Sequence, residues 1–343
     1  TYELFKDDDI TLTITGSGGI SISQWLGFSF VQEVIASTSA VKKYIPRTDV
    51  VIELGGEDAK ITYFDGGIDQ RMNGTCAGGT GAFIDQMASL LQTDAAGLNE
   101  LAKKYKVIYP IASRCGVFAK TDIQPLLNEG AAREDIAASV FQSVVNQTIS
   151  GLACGKPIRG NIAFLGGPLY YLSELRRRFI ETLGLKDSQV IFPENSQLFV
   201  AIGAALSSKN QKPIPFEVLK NKLATLNDIS VQEIERLRPL FVNEEELKDF
   251  RARHEKNSVK RKELKNHKGR CFLGIDAGST TTKAALIDDE GALLYSYYGS
   301  NGGSPLNSTI RILKDLYAAL PSEAFIANSA VTGYGEALIK FAL

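Results

Sequence analysis

The chain has 343 residues, 44% of them hydrophobic and 22% charged, and a formal net charge of −1. That balance supports a globular chain with a substantial core and gives no electrostatic ground for a nucleic-acid partner. No apolar run is long enough to span a bilayer and no secretory signal opens the sequence, so no membrane association and a cytoplasmic location are expected.

Taken in chain order, residues 10–14 alternate as a strand and run into Thr15-Gly16-Ser17-Gly18, followed by a helical pattern over 21–36. Residues 50–54 and 59–64 read as two strands joined by Gly55-Gly56-Glu57-Asp58. A loop with Gly74, Cys76, Gly78, Gly79 and Gly81 precedes a helix over 80–91, and another helix covers 95–105. Residues 110–115 are extended, with Cys115 at the tip. Thr121 or Asp122 can cap a helix ending at Asn128, and residues 131–154 form a long helix. A buried strand over 161–165 enters Gly166-Gly167-Pro168, and a helix covers 171–183; a strand over 190–192 and an Ala-rich helix over 197–206 complete this part.

Residues 207–270 are rich in Lys, Glu and Arg, show no strand-like run, and read as a charged helical linker. The basic run 260–268 is broken by Glu263 and lacks interleaved aromatics, which argues against a nucleic-acid patch. From 271 a meander begins: strands over 272–276, 280–287 and 292–298, then a helix over 305–319 and a strand over 324–329 leading to Thr332-Gly333-Tyr334-Gly335.

Two strands meeting at a Gly-Gly tip beside carboxylates suit a phosphate and Mg²⁺ site. Glycines let backbone N–H groups approach phosphate oxygens, and a carboxylate holds the metal through its waters. By this reasoning Gly55, Gly56, Glu57 and Asp58 form one candidate site, against the alternative of an ordinary hairpin turn. Gly166 and Gly167, at a strand-to-helix corner, are a second nucleotide contact. The first turn of the 271–298 meander offers Asp276 near a metal and Gly278, Ser279, Thr280, Thr281 and Lys283 as phosphate donors.

Residues 326–343 resemble residues 11–28: in both, a short strand leads to T-G-x-G and a helix. The expectation is a tandem protein. Residues 1–206 are then the later part of a first unit, and residues 271–343 the opening part of a second. A circular permutation, with 271–343 supplying missing strands to the first unit, is the alternative. The sequence starts at Thr1 without a Met and stops at Leu343 inside a helical pattern, so a fragment of a longer polypeptide is expected.

These motifs carry a family resemblance. GIDAGSTTTK resembles the first phosphate motif of the acetate kinase/sugar kinase/Hsp70/actin superfamily. ELGGEDAKI resembles the second, and AFLGGPLYYLSELRRRF resembles the adenosine motif. Within that superfamily, NGTCAGGTGAFIDQMA and SRCGVFAKTDIQPLLNEG closely resemble the two cysteine segments of the 2-hydroxyacyl-CoA dehydratase activators. Relatives of that group include the ATPase subunits of benzoyl-CoA reductase. The resemblance covers about residues 10–206 and 271–343.

The resemblance implies an α/β fold with ribonuclease H-like, actin/Hsp70-type ATPase domains: mixed sheets flanked by helices. It implies ATP or ADP with Mg²⁺, Glu57 and Asp58 in the hydrolytic role, and a homodimer sharing one [4Fe–4S] cluster between Cys76 and Cys115 of each copy. Helix N-termini aimed at the cluster would stabilise its charge. Reduced by ferredoxin or flavodoxin, such a protein passes an electron to an acyl-CoA dehydratase or reductase under ATP hydrolysis. Cys154 and Cys271, at a helix end and a strand start, read as buried structural thiols. Two departures stand out: Glu53 occupies a usual Asp position, and Glu57 replaces the Gln of small activators, so this unit is expected to bind nucleotide more than turn it over. Because the sequence also lacks the first phosphate motif of unit one and the second of unit two, weak or absent ATPase is expected of the isolated chain. A small-molecule kinase of the same fold and a non-catalytic nucleotide-binding regulatory module are the competing functions.

Overall fold

Short β-branched runs punctuated by glycine set the local structure. The computed structural model describes residues 6–74, 78–112, 116–225, 237–333, 335, 336, 339 and 340. β1 (Asp9–Ile10) and β2 (Thr13–Ile14) lead to α1 (Gly19–Leu26), β3 (Ser29–Phe30) and α2 (Glu33–Tyr44). β4 (Val50–Leu54), β5 (Ala59–Tyr63) and β6 (Asp69–Met72) precede α3 (Gly81–Leu90), α4 (Ala95–Ala102), α5 (Gly116–Asn128) and α6 (Arg133–Thr148). β7 (Ile162–Leu165), α7 (Gly167–Tyr171), α8 (Ser173–Leu183), β8 (Val190–Ile191), α9 (Phe199–Ser208), β9 (Ile214–Pro215), α10 (Phe216–Thr225) and α11 (Glu244–Glu255) follow. β10 (Gly269–Ala277), β11 (Thr281–Ile287), β12 (Leu293–Ser300), α12 (Pro305–Ala319) and β13 (Ala324–Thr332) end the described elements.

The chain divides into two units. The first comprises residues 1–85, 113–116 and 140–233. Its main sheet has the order β6-β5-β4-β7-β8, with β4–β5–β6 an antiparallel meander and β7 and β8 parallel to β4. β4, β5 and β7 are buried along their whole length, Glu53, Lys60 and Thr62 included. Ala40 and Val41 of α2 and Phe199 of α9 pack against Val51, Ala163 and Leu165. Alternate residues serve the opposite face, where Phe164 meets Phe179 of α8 at 6.0 Å.

The second unit comprises residues 86–112, 117–139 and 234–343. Its sheet has the order β12-β11-β10-β13, again an antiparallel meander with the fourth strand parallel to the first. Leu273, Ile275, Ala284, Leu286 and Leu294 form its core with Ile312 and Leu316 of α12. Each sheet begins with the same strand order, and the first glycine of each T-G-x-G has nearly the same φ: Gly16 94° and Gly333 93°.

Several expected elements differ. The 21–36 helix is two helices, because Gly27 closes α1 in the left-handed region and Ser29–Phe30 pair with Thr13–Ile14. α5 begins at Gly116, ahead of the expected caps. Asp122 instead accepts the Ala112 N–H at 2.7 Å, and Thr121 donates to Val117 O. The long 131–154 helix ends in a π turn over Ile149–Ala153, and Cys154 is exposed with φ 47°, not a buried thiol. Cys271 is buried, as expected. Among the described residues of the 207–270 stretch, β9 pairs with β1 and β10 opens at Gly269. The β6 strand, polar and half-buried, has no counterpart in the sequence reading.

Candidate functional site

The β4–β5 hairpin builds the site of the first unit. Gly55 N–H donates to Asp58 O at 2.7 Å, which closes the Gly55-Gly56-Glu57-Asp58 turn. This turn, Gly166 and Gly167 line one cavity of about 420 Å³, together with Ser17, Glu33, Glu53, Lys60 and Gln197. The chain therefore gathers six predicted residues, Gly55, Gly56, Glu57, Asp58, Gly166 and Gly167, at one place.

The glycines there have different reasons. A Cβ on Gly166, whose φ is 91°, would overlap Leu54 O, so this corner is dictated by packing. A Cβ on Gly56 or Gly167 would meet nothing within 4 Å. Their bare backbones border open space instead, which is the room an anionic oxygen needs to reach a peptide N–H. Carboxylates beside that space fit a Mg²⁺–nucleotide, with the metal held mainly through water.

Sequence reasoning missed Lys60 and Glu33. Lys60 stands opposite Glu53 in the β4–β5 register, and its side chain is only 8% exposed. Its ammonium pairs closely with Glu33, and lies 3.4 Å from Glu53 Oε1 and 3.7 Å from Asp58 Oδ2. Ser37 Oγ donates to Glu53 Oε2 at 2.9 Å. Burial pulls the Lys60 pKa down, but Glu53, Glu33 and Asp58 more than offset this and hold it above the ordinary lysine value. A lone lysine in an apolar run was the available signal for Lys60. Glu33 comes from a separate helix and had none.

The same turn is tied to the loop that carries Cys76. Asn73 accepts the Ala59 N–H at 2.8 Å and donates to Glu57 O at 3.1 Å. On the far side, Gly81 N–H donates to Gly55 O at 3.0 Å and Ala82 N–H to Gly56 O at 2.7 Å. Thus the loop is anchored at both ends on residues 55–59. Two of the first N–H groups of α3 are already used by these carbonyls, which leaves fewer for any ligand near the loop. Cys76 and Cys115 themselves lie outside the described residues.

In the second unit, Asp276 and Lys283 are cross-strand partners at 3.0 Å. Gly278 N–H donates to Thr281 O at 3.0 Å, closing the β10–β11 turn that carries Ser279 and Thr280. Asn301 secures this turn, donating to Gly278 O at 2.9 Å, while its N–H donates to Thr280 O at 3.0 Å. Asp276 and Lys283 line a cavity of about 330 Å³ with Thr332. The predicted phosphate residues thus fall on two units, with Gly55, Gly56, Gly166 and Gly167 in the first and Asp276 to Lys283 in the second. Among the described residues no three His, Cys, Asp or Glu side chains stand together as metal ligands, and no helix is long and apolar enough to cross a membrane.

The model of the BadF/BadG/BcrA/BcrD ATPase family matches residues 4–208. The chain belongs to this family. Its similarity to a 2-hydroxyisocaproyl-CoA dehydratase activator of Clostridioides difficile is 29% identity over 221 residues, covering 64% of this chain and 80% of the relative. An activator of lactoyl-CoA dehydratase from Anaerotignum propionicum is 32% identical over 209 residues, 59% of this chain and 76% of the relative. Among solved structures, component A of (R)-2-hydroxyglutaryl-CoA dehydratase from Acidaminococcus fermentans aligns with a TM-score of 0.52 at 30% identity, covering 58% of this chain and 75% of that one. The 2-hydroxyisocaproyl-CoA dehydratase activator from Clostridium difficile with bound ADPNP gives 0.51 at 26% identity, covering 65% and 78%. The fold of this BadF/BcrA-type chain is accordingly that of the actin/Hsp70-type ATPases, as its sequence motifs implied.

Proposed function

We propose that this chain is part of an ATP-dependent activator of an acyl-CoA dehydratase or reductase. Its relatives are named as activators of 2-hydroxyacyl-CoA dehydratases, which supports the partner type. Nucleotide sits at the Gly55–Gly56 turn and the Gly166–Gly167 corner, with Glu57 and Asp58 serving Mg²⁺ and the attacking water. Gly278 to Thr281, Asp276 and Lys283 have the equivalent first-phosphate role in a second site. Cys76 and Cys115 of each of two copies would hold one [4Fe–4S] cluster, which supplies a one-electron carrier when bound. A ferredoxin or flavodoxin is the electron source, and the homodimer is the working form.

The observation that carries this reading is the double anchoring of the Cys76 loop on the nucleotide turn. A phosphate that shifts Gly55 and Gly56 must strain the bonds from Gly81, Ala82 and Asn73, so nucleotide state and cysteine loop share one element. Next to the other cysteine, Val117 is 71% and Phe118 63% exposed. Exposed apolar side chains beside Cys115 suit a subunit interface there.

The test is the reduced protein's EPR spectrum with and without ATP, in the wild type and in Asn73→Ala. The proposal expects ATP to change the wild-type spectrum and to leave that of the variant largely unchanged, although its nucleotide affinity persists. An ATP response of equal size in both proteins would refute this coupling route.

A further inference from the structure

The first turn of α12 and the loop before it border a cavity of about 460 Å³ within the second unit. The guanidinium groups of Arg133 and Arg311 line it with Ser304, Asn307 and Ser308, and no lining residue is acidic. Neither Asp276, Gly278 to Thr281 nor Lys283 borders it, so it is separate from the phosphate turns described above. Asn301 fixes the loop: its Oδ1 accepts the Gly303 N–H at 3.0 Å, and its amide donates to Gly278 O at 2.9 Å.

Donors gather at this cavity without acceptors to match. α12 opens at Pro305, which has no N–H, and Ser304 before it supplies no side-chain cap. The N–H groups of Leu306 and Asn307, in the first turn, precede the i→i−4 ladder. Ser308 is 4% exposed, and its hydroxyl has no partner among the described residues. Arg133 donates through one Nη to Leu91 O, while its buried Nε finds no acceptor there. Arg311 gives one nitrogen to Tyr297 Oη at 3.1 Å and has further N–H groups to offer. A buried donor left unpaired is costly, and a helix N-terminus beside two guanidinium forks favours a group that only accepts.

We infer that this cavity is a phosphate site of its own, for free phosphate or for the phosphate group of a small molecule. Arg133 and Arg311 flank the phosphate, and Ser308 Oγ and the first-turn N–H groups of α12 donate to its oxygens. The volume falls in the range of small-molecule sites, which leaves room for an organic part. The inference goes beyond the nucleotide reading above and stands without it.

The experiment is equilibrium dialysis of the full chain, without Mg²⁺ or nucleotide, against radiolabelled inorganic phosphate and, separately, glycerol 3-phosphate. Wild type is expected to show a saturable site for at least one probe, weakened about tenfold or more in Arg311→Gln and in Ser308→Ala. Gly56→Ala and Lys283→Met, which alter the two phosphate turns, should leave that site in place. Ser308→Ala removes a buried hydroxyl that has no partner, so it should melt no lower than wild type in the absence of phosphate. Its loss of affinity is then not a loss of fold. Either order of affinity between the two probes supports the site, and the tighter one identifies the source of the phosphate. Failure of both probes to bind, or binding that Arg311→Gln and Ser308→Ala leave unchanged, would overturn the inference. So would binding abolished by Gly56→Ala or Lys283→Met, which would assign it to the phosphate turns.

Discussion

Single residues in this chain separate into those that packing demands and those that leave room for a ligand. Gly166 is demanded: its positive φ and its approach to Leu54 O allow no side chain. Gly56 is free of both constraints. Gly166→Ala should therefore cost about 2 kcal/mol or more of stability, while Gly56→Ala should leave the melting temperature nearly unchanged and weaken nucleotide binding about tenfold. Thermal unfolding and titration with a fluorescent nucleotide, run on both variants, check the pair. A large loss of stability in Gly56→Ala would show that its role is structural. The sequence made the glycines and acidic residues of the turn legible because G-G-E-D and G-G-P are contiguous. It could not show that Glu33 closes the same site, since Glu33 reaches Lys60 only through the packing of α2 on the sheet.

Elements carry the next level of the argument. α2 and α9 approach so closely that a Cβ on Gly203 would overlap Ala36 O. Gly203→Ala should destabilise the first unit by about 3 kcal/mol, because neither helix backbone can yield without disturbing the core beneath. Chemical denaturation gives the value, and a variant as stable as the wild type would contradict the close packing. In the second unit, Lys262 donates to Asp288 Oδ2 at 2.7 Å, while Asp288 Oδ1 accepts N–H groups from Ala292 and Glu290. The Lys262 hydrogen bond is the main reason that the Asp288 pKa drops to about 2. A lowered folded-state pKa stabilises above the unfolded value near ~3.9, and that contribution is lost as pH falls through the folded value. Stability of the turn should thus decline between about pH 4 and pH 2, and Asp288→Asn should flatten this part of the curve. An acid titration of unfolding in both proteins decides the matter; equal curves would contradict it.

Element boundaries show where local sequence signals fall short. The strands with strong β-branched runs and α12, with Pro305 at its start, were readable. The break at Gly27 was not, because the helical register continues on both sides of it, and only the pairing of Ser29–Phe30 with β2 makes the glycine a terminus. α5 starts early because Asp122, a plausible cap by type, is recruited by the Ala112 N–H instead. β6 lacks apolar alternation and owes its existence to the neighbouring β5 edge.

At the scale of the whole molecule, one strand order occurs in both units, and the same left-handed glycine follows β2 and β13. The internal similarity was legible in T-G-x-G because only glycine takes that conformation cheaply. The assignment of chain segments to units was less legible. Residues 86–112 and 117–139 belong with 234–343, a long-range association that no local pattern encodes. The BadF/BcrA family match covers residues 4–208, and under the proposed function the anchored Cys76 loop would give nucleotide chemistry there a way to act on a redox centre. The central claim is that two such loops share one cluster. Its most direct test is iron and sulfide content per chain after strictly anaerobic purification, with the mass in solution, for the wild type and Cys76→Ala. The account predicts about two irons and two sulfides per chain in a dimer, lost in the variant. A dimer that takes up no iron even after anaerobic reconstitution would contradict it.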